Sequence, residues 1–371
     1  MLHPLVLALL LVPLPQTTSR PTPVAPSGTW VPLGPGAWPA AVLGRDGAIH
    51  LAYVGGGVVR HARLGAELEG PRAIRPDTTP CLALMERGPR IAAGVDHRLH
   101  IAWCEKAEHN ALHVTTSDDD GSTFAHDVRV RDVAEHGGEA LCDIACDGAG
   151  AVYVAWVDSR MENDQNPVSA DVFFDVSRDG GRTFGPDREA TARGPARCCP
   201  CCRPTLLTAA APLLAVRGGE HNVRDVFLVP LDPLAAGTCP VPDRWEFAGC
   251  PMDAPAIAGD PKAALALAWK TKDGVQVALR DKPDQPFAVR KVRGAAHPVL
   301  VVDRKGRATL AWQAGDHEIR VASVARSGGE VVLREHALPP QRARLPQLVL
   351  DARDQPVLLA TADHVFVALR L

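Results

Sequence analysis

The chain has 371 residues, a net charge of −3 at neutral pH, 32 Gly, 33 Pro and 10 Cys. That length is enough for a sizeable core, and the near-balanced charge gives no basic surface for nucleic acid or acidic lipid. Turn formers spread over the whole chain favour many short strands over helices.

The first 27 residues combine an apolar run, Met1 to Val12, with a Thr/Ser/Pro-rich leader. The run is too short to cross a bilayer and reads as a secretory signal. The expected organisation is therefore residues 1–27 as signal and leader and 28–371 as one domain. Secretion or a periplasmic location is expected, with no transmembrane segment in the mature chain and a monomeric state.

From residue 39 onward one unit recurs: an apolar strand, a Gly/Asp turn, then a strand ending in Ala and an aromatic. The copies are 39–53 (PAAVLGRDGAIHLAY), 89–103, 141–156, 204–216, 255–269, 298–312 and 346–361. The fourth and seventh copies lack the aromatic. Spacings of 43 to 60 residues, with third strands such as 111–116 and 319–324 and fourth strands such as 126–130 and 330–335, describe a propeller of four-stranded blades. The last copy ends after its third strand, while 28–33 precedes the first inner strand without a partner. The expected fold is an all-β propeller, seven blades with six as the alternative, closed by the N-terminal strand. The repeated aromatics read as packing between blades.

Two blades carry the same polar turn. Ser117, Asp119, Gly121, Thr123 and Phe124 recur sixty residues later as Ser177, Asp179, Gly181, Thr183 and Phe184. An Asp that accepts backbone amides, a Gly that tolerates positive φ and an aromatic plug make this a self-stabilised turn. These residues resemble the Asp box of the sialidase-like, or BNR-repeat, β-propellers. The resemblance implies a structural turn between third and fourth strands, on the face opposite that family's active site.

Unusual side chains fall in the loops that lead into first strands and join second to third strands. Cys198, Cys199, Cys201 and Cys202 lead into blade four, flanked by Arg197 and Arg203. Cys250 and Met252 lead into blade five, Cys142 into blade three and Cys81 into blade two. Cys104 lies on the same side, Cys239 in an outer loop and Cys146 at the far end of its strand, so most sulfur is expected on one rim. Three readings stay open: disulfides pinning long loops, a soft-metal site in which thiolates and Met252 suit copper(I), and a redox-active thiol pair beside arginines. The Cys-Pro-Cys-Cys segment at 199–202, followed by Val223-Arg224-Asp225-Val226 and Gly249-Cys250-Pro251-Met252, resembles an uncharacterised bacterial subgroup of the same propellers.

Polar candidates on that face are Asp158, Arg160, Arg203, His221, Arg224, Asp225 and Asp253, with Glu162, Asp164, His136, Glu139 and His297 nearby in the pattern. A retaining sialidase needs three Arg to clamp the substrate carboxylate, a Tyr nucleophile with a Glu partner, and an Asp acid/base. Arg160, Arg203 and Arg224 are the available clamp. Only Tyr53 and Tyr153 exist, both inside strands, and the family's Arg-Ile-Pro motif is absent, with Pro89-Arg90-Ile91 a scrambled echo. Asp158 and Arg160 read first as an internal salt bridge, and His97, His100, His109, His113 and His126 as surface residues. The expected function is a non-catalytic module binding a glycan or protein ligand at the channel mouth. A glycoside hydrolase acting on an acidic sugar and a copper or thiol-redox protein are the alternatives.

Overall fold

The computed structural model describes residues 28–64, 68–73, 80–82, 87–106, 110–130, 132, 138–160, 170–193, 197–209 and 211–371, without the side chains of 68–73 and 138–140. Among them are 27 strands, two 3-10 turns and no α-helix. The strands form seven antiparallel sheets in a ring, so the all-β, seven-bladed expectation holds.

Strand β1 (Val31–Pro35) precedes blade one, which comprises β2 (Ala37–Leu43), β3 (Ile49–Gly55), β4 (Val58–Leu64) and β5 (Leu68–Ala73). Blade two is β6 (Arg90–Ala93), β7 (Leu99–Glu105), β8 (Ala111–Ser117) and β9 (His126–Arg129). Blade three is β10 (Gly138–Cys146), β11 (Val152–Asp158), β12 (Asp171–Ser177) and β13 (Arg188–Glu189). Blade four is β14 (Thr205–Leu207), β15 (Leu213–Arg217) and β16 (Val226–Pro230). Blade five is β17 (Ala256–Gly259), β18 (Leu265–Thr271), β19 (Gly274–Arg280) and β20 (Ala288–Arg293). Blade six is β21 (Ala295–Val302), β22 (Ala308–Ala314), β23 (Ile319–Ser327) and β24 (Glu330–His336). Blade seven is β25 (Arg344–Leu350), β26 (Pro356–Ala362) and β27 (Val365–Arg370), completed by β1 through Val31↔Ala368 and Pro35↔Val365.

Blade four departs from the four-stranded expectation. Beyond β16 the chain makes only isolated bridges, Leu228↔Thr238 and Val223↔Glu246. Its remaining length folds over the upper face, the face on which the inner strands begin.

The Ala-aromatic dipeptide explains how the ring closes. Ala52, Ala102, Ala155, Ala215, Ala268, Ala311 and Ala360 are all fully buried at the same point of each second strand. Each following residue packs on the preceding blade: Trp103 among Ala40, Ala52 and Val59, Trp156 among Ala102 and Val114, Trp312 among Ala268 and Val277. Val216 fills the corresponding place beside Tyr153 and Ala155. A small residue lets the sheets approach, and the large one beside it fills the wedge that a ring of twisted sheets opens outward.

The two Ser-x-Asp-x-Gly-x-Thr turns have the same hydrogen bonds. Gly181 N donates to Ser177 Oγ at 2.8 Å, Thr183 N to Asp179 Oδ1 at 2.9 Å and Thr183 Oγ1 to Asp179 Oδ2 at 2.6 Å. The copy at Asp119 repeats each contact. Both turns lie on the lower face, and each glycine presses on the preceding blade. A Cβ on Gly121 would collide with the His61 ring, and one on Gly181 would sit 2.6 Å from Thr116 Oγ1 and 2.8 Å from His100 Nδ1.

The surface reading of the blade-two histidines is corrected here. His100 is buried against Thr116 at 2.9 Å, and His113 is buried, stacked on Trp103 and bonded to Asp127 and Glu105. His100, on the second strand, lies beneath the blade-three turn at Gly181, and His113, on the third, is covered by the Trp103 ring. His97 is exposed, His126 half-buried, and His109 lies outside the described residues.

Candidate functional site

Seven inner strands converge on the channel mouth, and the lead-ins of blades one, six and seven share one device. Trp38, His297 and Leu345 each adopt positive φ, at 59°, 49° and 55°, directly before Pro39, Pro298 and Pro346. The strands slip register at that point, and all three residues line the mouth. The cavity there holds about 260 Å³ and receives residues from every blade.

Its charged group comes from blades two to four. Arg90 Nε donates to Asp143 Oδ1 at 3.0 Å, and Arg203 Nη1 stands 3.4 Å from Asp143 Oδ2. The same Oδ2 accepts Leu206 N at 2.9 Å, fixing the carboxylate between three blades. One carboxylate thus faces two guanidiniums at a partly exposed position. Across the channel, Asp253 Oδ2 accepts His297 N at 2.7 Å.

Of the polar candidates, Arg203 lines this cavity, and the fully buried Asp253 braces its His297 wall. Asp158 and Arg160 form the internal salt bridge at 2.8 Å, with Arg160 also 2.7 Å from Asp187 and 4.1 Å above the Phe173 ring. Asp225 accepts Asp243 N and Arg244 N, and His221 sits exposed on a 3-10 turn. Arg160, Arg203 and Arg224 are therefore not assembled into a clamp. Arg224 is buried and donates to the carbonyls of Phe247 and Gly249 and to Asn222 Oδ1. Glu162, Asp164, His136 and the Glu139 side chain lie outside the described residues.

Neither tyrosine reaches the mouth. Tyr53 is buried edge-on against Phe366, and Tyr153 lies in the core between blades three and four. Burial pushes both phenols above their ordinary range. Sequence reasoning missed Arg90 and Asp143. The available signal was a charge inside an otherwise apolar inner strand, Leu141-Cys142-Asp143-Ile144.

The sulfur divides rather than forming one rim. All ten cysteines are free thiols, which corrects the disulfide expectation. Cys198 donates its backbone N–H to Ala170 O and bridges Gly218, stitching blade three to blade four with its side chain in the core. Cys81 does the same between blades one and two, through Gly57 O and a bridge to Glu105. Burial pushes the Cys81, Cys142 and Cys146 thiols up to about 12. Cys142 packs with Ile144 and Trp156, and Cys250 is exposed.

Cys104 is buried and Cys239 half-buried, while Cys199, Cys201 and Cys202 form a group of their own, their sulfurs within 4.8 Å of one another, with Met252 packed against them. Cys199 and Cys201 Sγ are 3.4 Å apart. Thiol donation from Cys201 and Cys202, with Arg224 nearby, draws the Cys199 thiol far below its ordinary range. Bonding to the Cys199 sulfur pushes Cys201 up, and burial raises Cys202 to about 12.

No protein-family model matches the chain, and no curated protein does. Solved structures do. A protein of unknown function from Dyadobacter fermentans matches over 95% of this chain and 98% of its own, at 11% identity and TM-score 0.53. An α-L-arabinofuranosidase from Fusarium graminearum, solved with an iminosugar inhibitor, matches over 76% and 92% at 13% identity and TM-score 0.53. A fungal alcohol oxidase in complex with copper matches over 92% and 75% at 9% identity and TM-score 0.57. The likeness is one of fold. The chain is a seven-bladed β-propeller. No helix of the described residues is long and apolar enough to cross a membrane.

Proposed function

We propose that this propeller is an exported, sialidase-like binding module that takes a small acidic ligand at its channel mouth without cleaving it. The observation that carries the reading is Asp143 between Arg90 and Arg203, at 3.0 and 3.4 Å, in a cavity of monosaccharide size. Planar guanidiniums at the mouth suit bidentate contact with a ligand carboxylate. The two polar turns, read as Asp boxes, support the sialidase-like assignment, and the apolar first twelve residues support export.

The arabinofuranosidase likeness makes sugar hydrolysis the reading to test against. Burial of Tyr53 and Tyr153 away from the mouth argues against a tyrosine nucleophile, and Asp143 is already committed to two cations and a backbone amide. In a calorimetric titration, small sugar acids are expected to bind and their neutral counterparts to fail. Arg203→Gln should lower that affinity by about tenfold or more, the loss of one charge-assisted hydrogen bond. Fluorogenic sialosides and arabinofuranosides should stay intact. Turnover abolished by Asp143→Asn would overturn the binding-only reading.

A further inference from the structure

The sulfur triad has an electrostatic setting that three ordinary thiols do not require. Arg217 is 1% exposed, and its guanidinium donates to the carbonyls of Arg224, Lys270 and Asp253, while its Nε has no hydrogen-bond partner. Arg224, 6% exposed, donates only to carbonyls and to Asn222 Oδ1. Among the described residues no carboxylate forms an ion pair with either. Two buried cations without counter-charge are costly, and side chains in a low-dielectric site are selected to neutralise them. The backbone carries both beside the sulfur loop: Cys199 N donates to Arg217 O at 2.9 Å, and Arg224 Nη1 reaches Gly219 O at 3.5 Å, where Gly219 abuts the Cys198–Cys199 peptide.

We propose that Cys199, Cys201 and Cys202 form a three-thiolate site for a single copper(I) ion, with the Met252 thioether beside it and Arg217 and Arg224 as its counter-ions. The charges balance. Three thiolates and one Cu(I) carry −2, and the two guanidiniums return it to zero. Zn(II) in the same site would leave one uncompensated positive charge and, among these residues, no fourth anionic ligand. Soft thiolate and thioether donors select Cu(I). Thiolates bound at about 2.3 Å to a common metal lie about 4 Å apart, so sulfurs already within 4.8 Å need little movement. On binding, the thiols release their protons to solvent and no electron is transferred.

The fold builds this site from separate places. Cys199 N is fixed to Arg217 O at 2.9 Å, and Cys202 N approaches Cys199 O at 3.4 Å, so the Pro200 turn folds the sulfurs inward. Met252 adopts positive φ, 49°, at the lead-in to blade five. The chain that blade four withholds from a fourth strand roofs the site, with Arg224 N bonded to Trp245 O and the Trp245 ring 5.9 Å from the Arg217 guanidinium.

The test uses the reduced full-length protein under anaerobic conditions, titrated with Cu(I) in competition with bicinchoninate. One Cu(I) per chain should be withheld from the chelator, with sulfur-to-copper absorption in the near ultraviolet and three sulfur neighbours in X-ray absorption of the wild type. Cys199→Ser and Cys201→Ser should each weaken retention by at least about 100-fold, and Arg224→Gln by about 10- to 100-fold, as for groups that support a metal ligand. Cys250→Ser should change nothing, and circular dichroism verifies that each variant is folded. Failure of the wild type to retain copper, its displacement by equimolar Zn(II), or equal loss in Cys250→Ser would overturn the assignment. The wild-type titration and absorption spectrum decide it even if a variant fails to fold.

Discussion

Glycine at the polar turns is required twice over. Gly181 has φ of +82° and no room for a Cβ between His100 and Thr116. Replacing it with Ala adds both left-handed strain and an overpacked contact at a blade junction, and should cost about 2 kcal/mol. Urea denaturation of Gly181→Ala should show a lower midpoint with an unchanged slope. The same junction predicts a pH response. Burial, helped by Arg98, lowers the pKa of His100 from 6.5 to about 4, so its native form is neutral. The unfolded chain binds that proton first. Stability from this residue is complete above about pH 6.5 and falls as pH drops toward 4, by roughly 3 kcal/mol in all. Asp175, raised to about 6 by burial, acts in the opposite sense over an overlapping range. The wild-type stability profile minus that of His100→Gln therefore isolates the histidine, and a flat difference between pH 6.5 and 4 would contradict it.

At the scale of the strand, the Ala-aromatic repeat was legible because packing in a ring repeats at a fixed position. Trp103, Trp156, Trp269 and Trp312 are buried where the pattern put them. The register slip at the lead-ins of blades one, six and seven was not legible. The chain shows a Pro at residues 39, 298 and 346, but the positive φ of Trp38, His297 and Leu345 depends on how the neighbouring strand is met. That geometry brings three side chains to the cavity that no local propensity assigns there. Arg90 and Leu206 meet Asp143 for a similar reason, with Arg203 beside them: inner strands of three blades approach the axis at one height, though 53 and 63 residues separate Arg90 and Leu206 from Asp143.

For the molecule as a whole, closure depends on β1. It supplies the outer strand of blade seven, buries Leu33 and anchors Trp30 Nε1 to Pro339 O at 3.0 Å. A chain beginning at Gly36 should leave β27 as an unpaired edge. Size-exclusion chromatography should then show higher oligomers, with a lower melting temperature. A monomer of unchanged stability would mean that β1 is not needed to close the ring.

The sequence by itself determined the blade count, the closing strand and the positions of the buried aromatics, because each is a local pattern copied around a ring. Only the tertiary structure decided which sulfurs meet. Ten cysteines of similar appearance divide into inter-blade stitches, buried and half-buried thiols, one exposed side chain and one three-sulfur group. What separates them is the turn at Pro200, which gathers three sulfurs from blade four, and Met252, which packs against them from the lead-in to blade five.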